Sequence, residues 1–343
     1  MAISETVGVP APHTWEPNAY EPATFEPQIH LSYRPPKEII TFDDLGLNPP
    51  TATSPVAITT PFPLLSAEGV RELRADIFRR EVVGKYGSLK YPGVYRIRGY
   101  GPDAPFTYAL WRSEAVRQAC SEAAGTELDI IYDYEIGQLN VQLPADVDKD
   151  APITENLPPP VPPRNISAPL EEDGALATET ENSKALVSAW HNDSYPWVCV
   201  LMLSDPVGMQ GGETALRTGD GSIMKVKPPG MGYAVMMQGG SINQAALPCL
   251  GEGERITFVT SFRSKDAAVR DSSSLRTVRP ISNLDELYRQ WASYRLDVVS
   301  QRAALKRKEL DVRGRSADEI RQMMNEWVRD QVEYLENTVK EMA

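Results

Sequence analysis

Ala189-Trp190-His191-Asn192-Asp193-Ser194-Tyr195-Pro196-Trp197 runs directly into the apolar string Val198-Cys199-Val200-Leu201-Met202-Leu203. The string reads as a buried strand with His191 and Asp193 at its mouth. In extended chain, residues i and i+2 point to the same face, so the imidazole and the carboxylate stand side by side. Such a pair is two-thirds of a facial iron site. The other histidines, His13 and His30, fall in a proline-rich N-terminal arm, so His191 is the only one in the part expected to form a core.

Around this stretch, residues 185 to 265 read as all-β. Strands are expected at 185–191, 197–204, 213–217, 222–227, 231–238, 241–247 and 254–263. Turn chemistry separates them: Gly211-Gly212, Gly219-Asp220-Gly221, Pro228-Pro229-Gly230, Gly239-Gly240 and Gly251-Glu252-Gly253. Short strands at regular spacing imply a sandwich, jelly roll or barrel.

Upstream, residues 1–60 are rich in Pro, Thr and Glu and form an extended arm, with Tyr33, Ile39, Ile40 and Phe42 to hold it on the surface. Ser66 is expected to cap a helix through Val70, Leu73, Ile77 and Phe78, ending near Gly84 or Gly87. Tyr95 to Tyr100 alternates as a strand, and Ser113 caps a second helix that Gly125 stops. Leu128 to Val141 is expected as one strand with a bulge at Gly137. Residues 143–184 are an acidic, proline-rich insertion, either a functional lid or disorder.

Downstream, residues 266–343 are helical. Asn283 with Glu286, and Ser316 with Glu319, fit capping boxes. Leu284, Leu287, Tyr288, Trp291 and Val298 make one face. Ile320, Met323, Met324, Trp327, Val328, Leu335 and Val339 make another. Both helices are expected to pack outside the sheet, while their Met and aromatic content suits a dimer or partner interface equally.

The chain has 343 residues, 41% hydrophobic and 24% charged, which suits one large core or two domains. A net charge of −12 gives no electrostatic reason to bind nucleic acid or anionic lipid. No stretch approaches a membrane span, and the first residues carry no secretory pattern. Cys120, Cys199 and Cys249 fit no zinc spacing and point to a reducing, cytoplasmic setting. Asn165-Ile166-Ser167 matches a glycosylation acceptor, read as chance without a signal.

Arg255 and Thr257 share one strand face, expected to be the inward one. A buried guanidinium needs an anion, and Arg holds a carboxylate bidentately. No acid of that strand serves, so an external carboxylate is expected. Tyr134, Gln138 and Asn140 alternate on one strand face, and with Tyr195 they are candidate pocket residues.

The ordered set resembles the iron(II)- and 2-oxoglutarate-dependent dioxygenases. Those show H-x-D on a jelly roll, a further ligand downstream, and R-x-S/T after it. The wording is closest to a fungal subgroup: Phe106-Thr107-Tyr108, Asp133-Tyr134-Glu135-Ile136-Gly137, His191 to Pro196, Gly211-Gly212-Glu213-Thr214-Ala215-Leu216-Arg217-Thr218-Gly219 and Glu254-Arg255-Ile256-Thr257. The likeness spans residues 62–265. It implies a double-stranded β-helix core (61–265, with the insertion 143–184) between the arm and the C-terminal helices. It also implies Fe(II) held by His191 and Asp193, and 2-oxoglutarate held through its carboxylate by Arg255 and Thr257. The activity implied is hydroxylation, desaturation or oxidative cyclisation of a small molecule. Where similar proteins show I-x-H-x-A-L, this chain has Ile242-Asn243-Gln244-Ala245-Ala246-Leu247, so Gln244 takes the place of the third ligand. A carboxamide is a weaker donor than imidazole. Two alternatives therefore accompany the oxygenase: an inactive partner of an active paralogue, in a homo- or hetero-oligomer, and a redox-neutral isomerase or cyclase with His191 and Asp193 as acid and base.

Overall fold

The structure, a computed structural model, describes residues 21–91, 94–142, 177–179, 188–207, 209–250, 254–312 and 314–343. His13, Asn165-Ile166-Ser167, most of the insertion 143–184, residues 185–187 and the turn Gly251-Glu252-Gly253 lie outside the described residues.

The strands, in chain order, begin with β1 Ile39–Thr41, β2 Val56–Thr59, β3 Phe62–Pro63, β4 Gly87–Tyr91, β5 Val94–Ile97, β6 Leu128–Ile130, β7 Gln138–Gln142 and β8 Ala177–Glu179. They continue with β9 Trp197–Met202, β10 Gln210–Gly211, β11 Thr214–Arg217, β12 Ile223–Val226, β13 Tyr233–Met237, β14 Gln244–Ala246, β15 Cys249–Leu250 and β16 Arg255–Ser264. The helices are α1 Pro27–His30, α2 Ala67–Ile77, α3 Arg80–Tyr86, α4 Pro105–Arg112, α5 Glu114–Ala124, α6 Leu284–Leu310 and α7 Ala317–Glu341.

Ten strands form a large sheet in the order β1-β2-β13-β9-β16-β7-β5-β4, with β3 on β13 and β6 on β16. A smaller sheet runs β14-β11-β12-β8, and β10 pairs with β15. Every pairing among the described strands is antiparallel.

Alternation along β16 sorts its residues between two cores. Ile256 and Phe258 face the helical side, where they join Leu73 of α2, Trp111 of α4 and Ala119 of α5. Trp111 stacks on Phe258 with ring centroids 5.3 Å apart. Arg255 and Thr257 face the other way, toward Val200, Met202, Val235 and Met237 of the large sheet and Gly212, Thr214 and Val226 of the smaller one.

Local signals place several elements as expected. Ser66 accepts from Gly69 N at the start of α2, and Ser113 from Val116 N at the start of α5. Gly125 ends α5 in the left-handed conformation. Ser316 and Glu319 close a full capping box on α7. Asn283 caps α6, but its backbone N–H donates to Tyr134 Oη instead of to Glu286, so that box is half made.

Other expectations need correction. The helix after Ser66 is two helices, broken at Phe78, because the Asp76 carbonyl accepts from Arg79 Nε. The strand expected over 128–141 is split into β6 and β7 by a turn at Asp133–Glu135. That turn carries Glu135 inward to Arg98 and Tyr134 to α6. Residues 188–191 form no strand; His191 makes only an isolated bridge to Gln244. The region expected to be a surface arm supplies β1 and β2, and all four residues of β2 are buried. His30 is also buried, on the helical side, edge-on to Phe106 at 5.0 Å.

Helices α6 and α7 do not lie flat on a sheet face. They form a hairpin packed on Ile131, Tyr132, Tyr195, Leu275 and Val278. Arg295 ties them together by donating to Thr338 Oγ1 at 2.9 Å and Tyr334 O at 3.0 Å, and it pairs with Asp271 at 2.9 Å. The buried residues of α7 are thus Gln331, Tyr334 and Thr338, and much of its aliphatic stripe is rotated off the contact.

Gly137 sits at φ +72°, and a Cβ there would meet Phe258 Cζ and Tyr100 Oη at 2.1 Å. Left-handed strain and overpacking add, so Gly137→Ala should lower stability by about 3 kcal/mol, read from urea unfolding. A loss under about 1 kcal/mol would show that the β6–β7 turn is not held as described.

Candidate functional site

The site begins with backbone. His191 N donates to Gln244 O at 2.9 Å and Gln244 N to His191 O at 2.8 Å, a closed antiparallel pair at the edge of the smaller sheet. Asp193 N donates to Gly239 O at 2.8 Å. These three bonds fix the order of the side chains, whatever the side chains are.

His191 Nδ1 lies 2.7 Å from Ala189 O. A carbonyl only accepts, so Nδ1 carries a hydrogen and Nε2 holds the lone pair of the neutral ring. That Nε2 is 3.4 Å from Asp193 Oδ1. Gln244 Nε2 donates to Asp193 Oδ2 at 2.5 Å. Asn243 Nδ2 donates to Asn192 Oδ1 at 3.3 Å and braces the next pair along. Gln244 is buried, while the His191 side chain is 33% exposed and that of Asp193 20%, so the cluster opens to solvent on the histidine side.

Gly239 makes this possible. A Cβ at that position would lie 2.0 Å from Asp193 Oδ2. The Gly239-Gly240 doublet reads from sequence as a turn, and its second job, leaving room for the carboxylate, has no local signature. Gly212 plays a similar part beside Arg255, whose Nε donates to Gly212 O at 2.8 Å. Arg217 lies over the Trp190 ring at 4.6 Å.

Arg255 and Thr257 are buried between the sheets, with Arg255 Nη1 3.4 Å from Thr257 Oγ1. Among the described residues no carboxylate lies within ion-pair distance of Arg255. Burial pulls its pKa down to about 10, opposed by the Cys249 thiol and the Glu213 carboxylate. The space left beside it is about 10 Å³, the room of one water.

Asn140 is the cross-strand neighbour of Thr257 and joins this group. The other candidate pocket residues lie in a separate buried network. Glu135 pairs with Arg98 at 2.6 Å and accepts from Tyr195 at 2.8 Å. Gln138 accepts from Arg98 at 2.7 Å, and the Tyr134 ring lies 5.0 Å from that guanidinium.

Two electron-pair donors facing each other, His191 Nε2 and Asp193 Oδ1, need a proton or a cation between them. The Gln244 carboxamide adjoins the same carboxylate and brings a third oxygen, since N and O of an amide are assigned from the bonding network. The donor set therefore fits a divalent cation, with two strong donors and one weak one. Among the described residues no group of three or more His, Cys, Asp or Glu side chains gathers as a metal site.

No family model matches the chain, and no curated protein matches it. Several solved structures are similar to it. One is an oxidoreductase of the 2OG-Fe(II) oxygenase family from Burkholderia pseudomallei (13% identity, 56% of this chain and 78% of that one, TM-score 0.34). Another is a prolyl-4-hydroxylase from Pseudomonas putida (17%, 59% and 89%, 0.31). A third is SnoN, a non-heme alpha-ketoglutarate-dependent epimerase from nogalamycin biosynthesis (12%, 66% and 84%, 0.40). At TM-scores this low the likeness carries no weight for function, and the chemistry of the site has to.

The hydrogen bond to Asp193 raises the pKa of His191, supported by the aspartate charge and opposed by burial and by the charge of Lys90. A folded pKa above the ordinary value of 6.5 means that protonated His191 stabilises the fold at low pH. That contribution is lost as pH rises through the raised value. In metal-free protein the urea midpoint should fall as pH climbs from about 6.5, and His191→Gln should flatten the slope. An unchanged slope in the variant would show that His191 is not paired with Asp193.

Proposed function

We propose that the chain is a non-haem iron(II), 2-oxoglutarate-dependent oxygenase acting on a small molecule, built on a double-stranded β-helix core. One observation carries this: His191 Nε2, the Asp193 carboxylate and the Gln244 carboxamide converge on one backbone bridge, and the same fold buries a guanidinium, Arg255, without an ion-pair partner among the described residues. His191 and Asp193 would hold the metal, with Gln244 as a weak third donor. Arg255 and Thr257 would bind the distal carboxylate of the keto acid, with Asn140 beside them. When bound, iron(II) and 2-oxoglutarate supply oxidising power through decarboxylation of the keto acid by dioxygen.

The chain's own residues do the rest. Ala189 O fixes the ring of His191 in the tautomer whose lone pair faces Asp193. Gln244 fixes the carboxylate. Arg255 supplies positive charge in a dry interior, where a carboxylate gains most from it. Met202 and Met237 fill that interior with flexible side chains that can move aside for a diacid.

A second reading, a non-catalytic partner of an active paralogue, draws on two details. Gln244 donates to Asp193, and the interior beside Arg255 has room for only one water.

Anaerobic titration with iron(II) and 2-oxoglutarate tests both. The oxygenase should give the weak visible charge-transfer band of the chelated keto acid, and Arg255→Met should weaken keto-acid binding by about a hundredfold without removing iron binding. Gln244→His should tighten iron by roughly tenfold or more. No band and no iron affinity in the parent, with iron binding restored by Gln244→His, would leave the partner reading. A stable complex with a paralogue whose H-x-D…H set is intact would then be its positive sign.

A further inference from the structure

Helix α7 presents Val328, Val332, Leu335 and Val339 to solvent, with exposures of 47, 49, 37 and 68%. The contact with α6 runs instead through Gln331, Tyr334 and Thr338. At 100° per residue the four aliphatic residues lie on one stripe of the helix, turned away from that contact. Exposed Val and Leu in a continuous row mark an interaction surface more often than a solvated face.

The spacing says what kind. The steps along the stripe are four, three and four residues, the d-a-d-a pattern of a helix–helix seam. The sequence of steps is the same read from either end. A surface with that property is complementary to itself when two copies meet antiparallel about a two-fold axis. Val328 then faces the partner's Val339, and Val332 the partner's Leu335.

Charge agrees with this register. Arg329 and Glu336 occupy the two e positions flanking the stripe, one at each end. In the antiparallel arrangement Arg329 of each copy meets the partner's Glu336, which makes two symmetric pairs of opposite charge. A parallel arrangement sets each e position against a g position of the partner and leaves Arg329 and Glu336 unpaired with one another. Neither residue has an ion-pair partner among the described residues.

We infer that α7 is the contact of a homodimer in which two copies pack antiparallel along Val328, Val332, Leu335 and Val339, locked in register by Arg329 and Glu336. The dimer joins the molecules through the hairpin, and the His191 cluster is on a different element, so the contact does not depend on that site's activity.

Sedimentation velocity on the full chain tests this. The parent should run as a dimer. Val332→Glu should run as a monomer that keeps the parent's far-UV circular dichroism spectrum, since the residue is half exposed within the chain. Arg329→Glu should weaken the dimer about tenfold by setting like charges together, and adding Glu336→Arg should restore it. A monomeric parent at about 100 μM, or a dimer indifferent to Val332→Glu, overturns the proposal. So does failure of the double charge swap to restore what the single one loses. If the parent is monomeric and removal of residues 1–20 creates the dimer, the N-terminal segment is the occupant of the stripe and the homodimer is likewise overturned.

Discussion

Strand alternation along Arg255–Ser264 is the constraint on which the rest of the structure depends. The strand pairs with β9, β7 and β6, so a slip of one residue would turn over every one of its side chains relative to those neighbours. One face supplies Ile256 and Phe258 to a core closed by α2, α4 and α5. The other supplies a guanidinium and a hydroxyl to a space closed by the smaller sheet. The apolar face makes the register costly to lose, because a slip would take Phe258 and Ile256 out of the helical core and put Arg255 among Trp111 and Leu110. Stability and site geometry are thus set by the same pairing.

The site itself turns on one carboxylate. Asp193 is held from three sides: its backbone by Gly239 O, Oδ2 by the Gln244 amide, and Oδ1 by the imidazole. With His191 protonated the group is an internally neutral pair, satisfied without any further ion. With His191 neutral, Nε2 and Oδ1 face each other as donors of electron pairs, and a cation is the natural occupant. Proton and metal compete for the same place, so the raised pKa of His191 and metal affinity are opposing expressions of one arrangement.

Local rules made part of this visible in the sequence. Ser66, Ser113, Asn283 and Ser316 mark helix starts because a cap is a contact within three residues. Strand 197–202 shows because burial on both faces leaves a long apolar run, and 255–264 because β-branched and aromatic residues recur along it. What did not show depends on distant partners. β1 and β2 look like arm because only pairing with β13 makes Val56–Thr59 a core strand. The break between β6 and β7 exists because Arg98, nearly forty residues before Glu135, needs an anion, and the turn delivers it. In the site, His191, Asp193 and Gln244 were legible as types at a spacing. That Gln244 would bond to Asp193, and that Gly239 must be a glycine for Asp193 to fit, followed only from the folded backbone.

The backbone bridge between His191 and Gln244 leaves the side chain at position 244 open to choice. Its two hydrogen bonds join peptide groups and are indifferent to the side chains. A side chain there with no donor would leave Asp193 with an unfilled acceptor in a half-buried place, which costs free energy of order 1–3 kcal/mol. Glutamine is long enough to reach back and fills it with an N–H. An alanine or a valine would leave the acceptor bare, and a glutamate would set two carboxylates together. Of the residues that can stand at position 244 without a metal, a carboxamide is among the few that keep Asp193 satisfied and in place. Gln244 therefore holds the geometry of the His191–Asp193 pair through its own hydrogen bond.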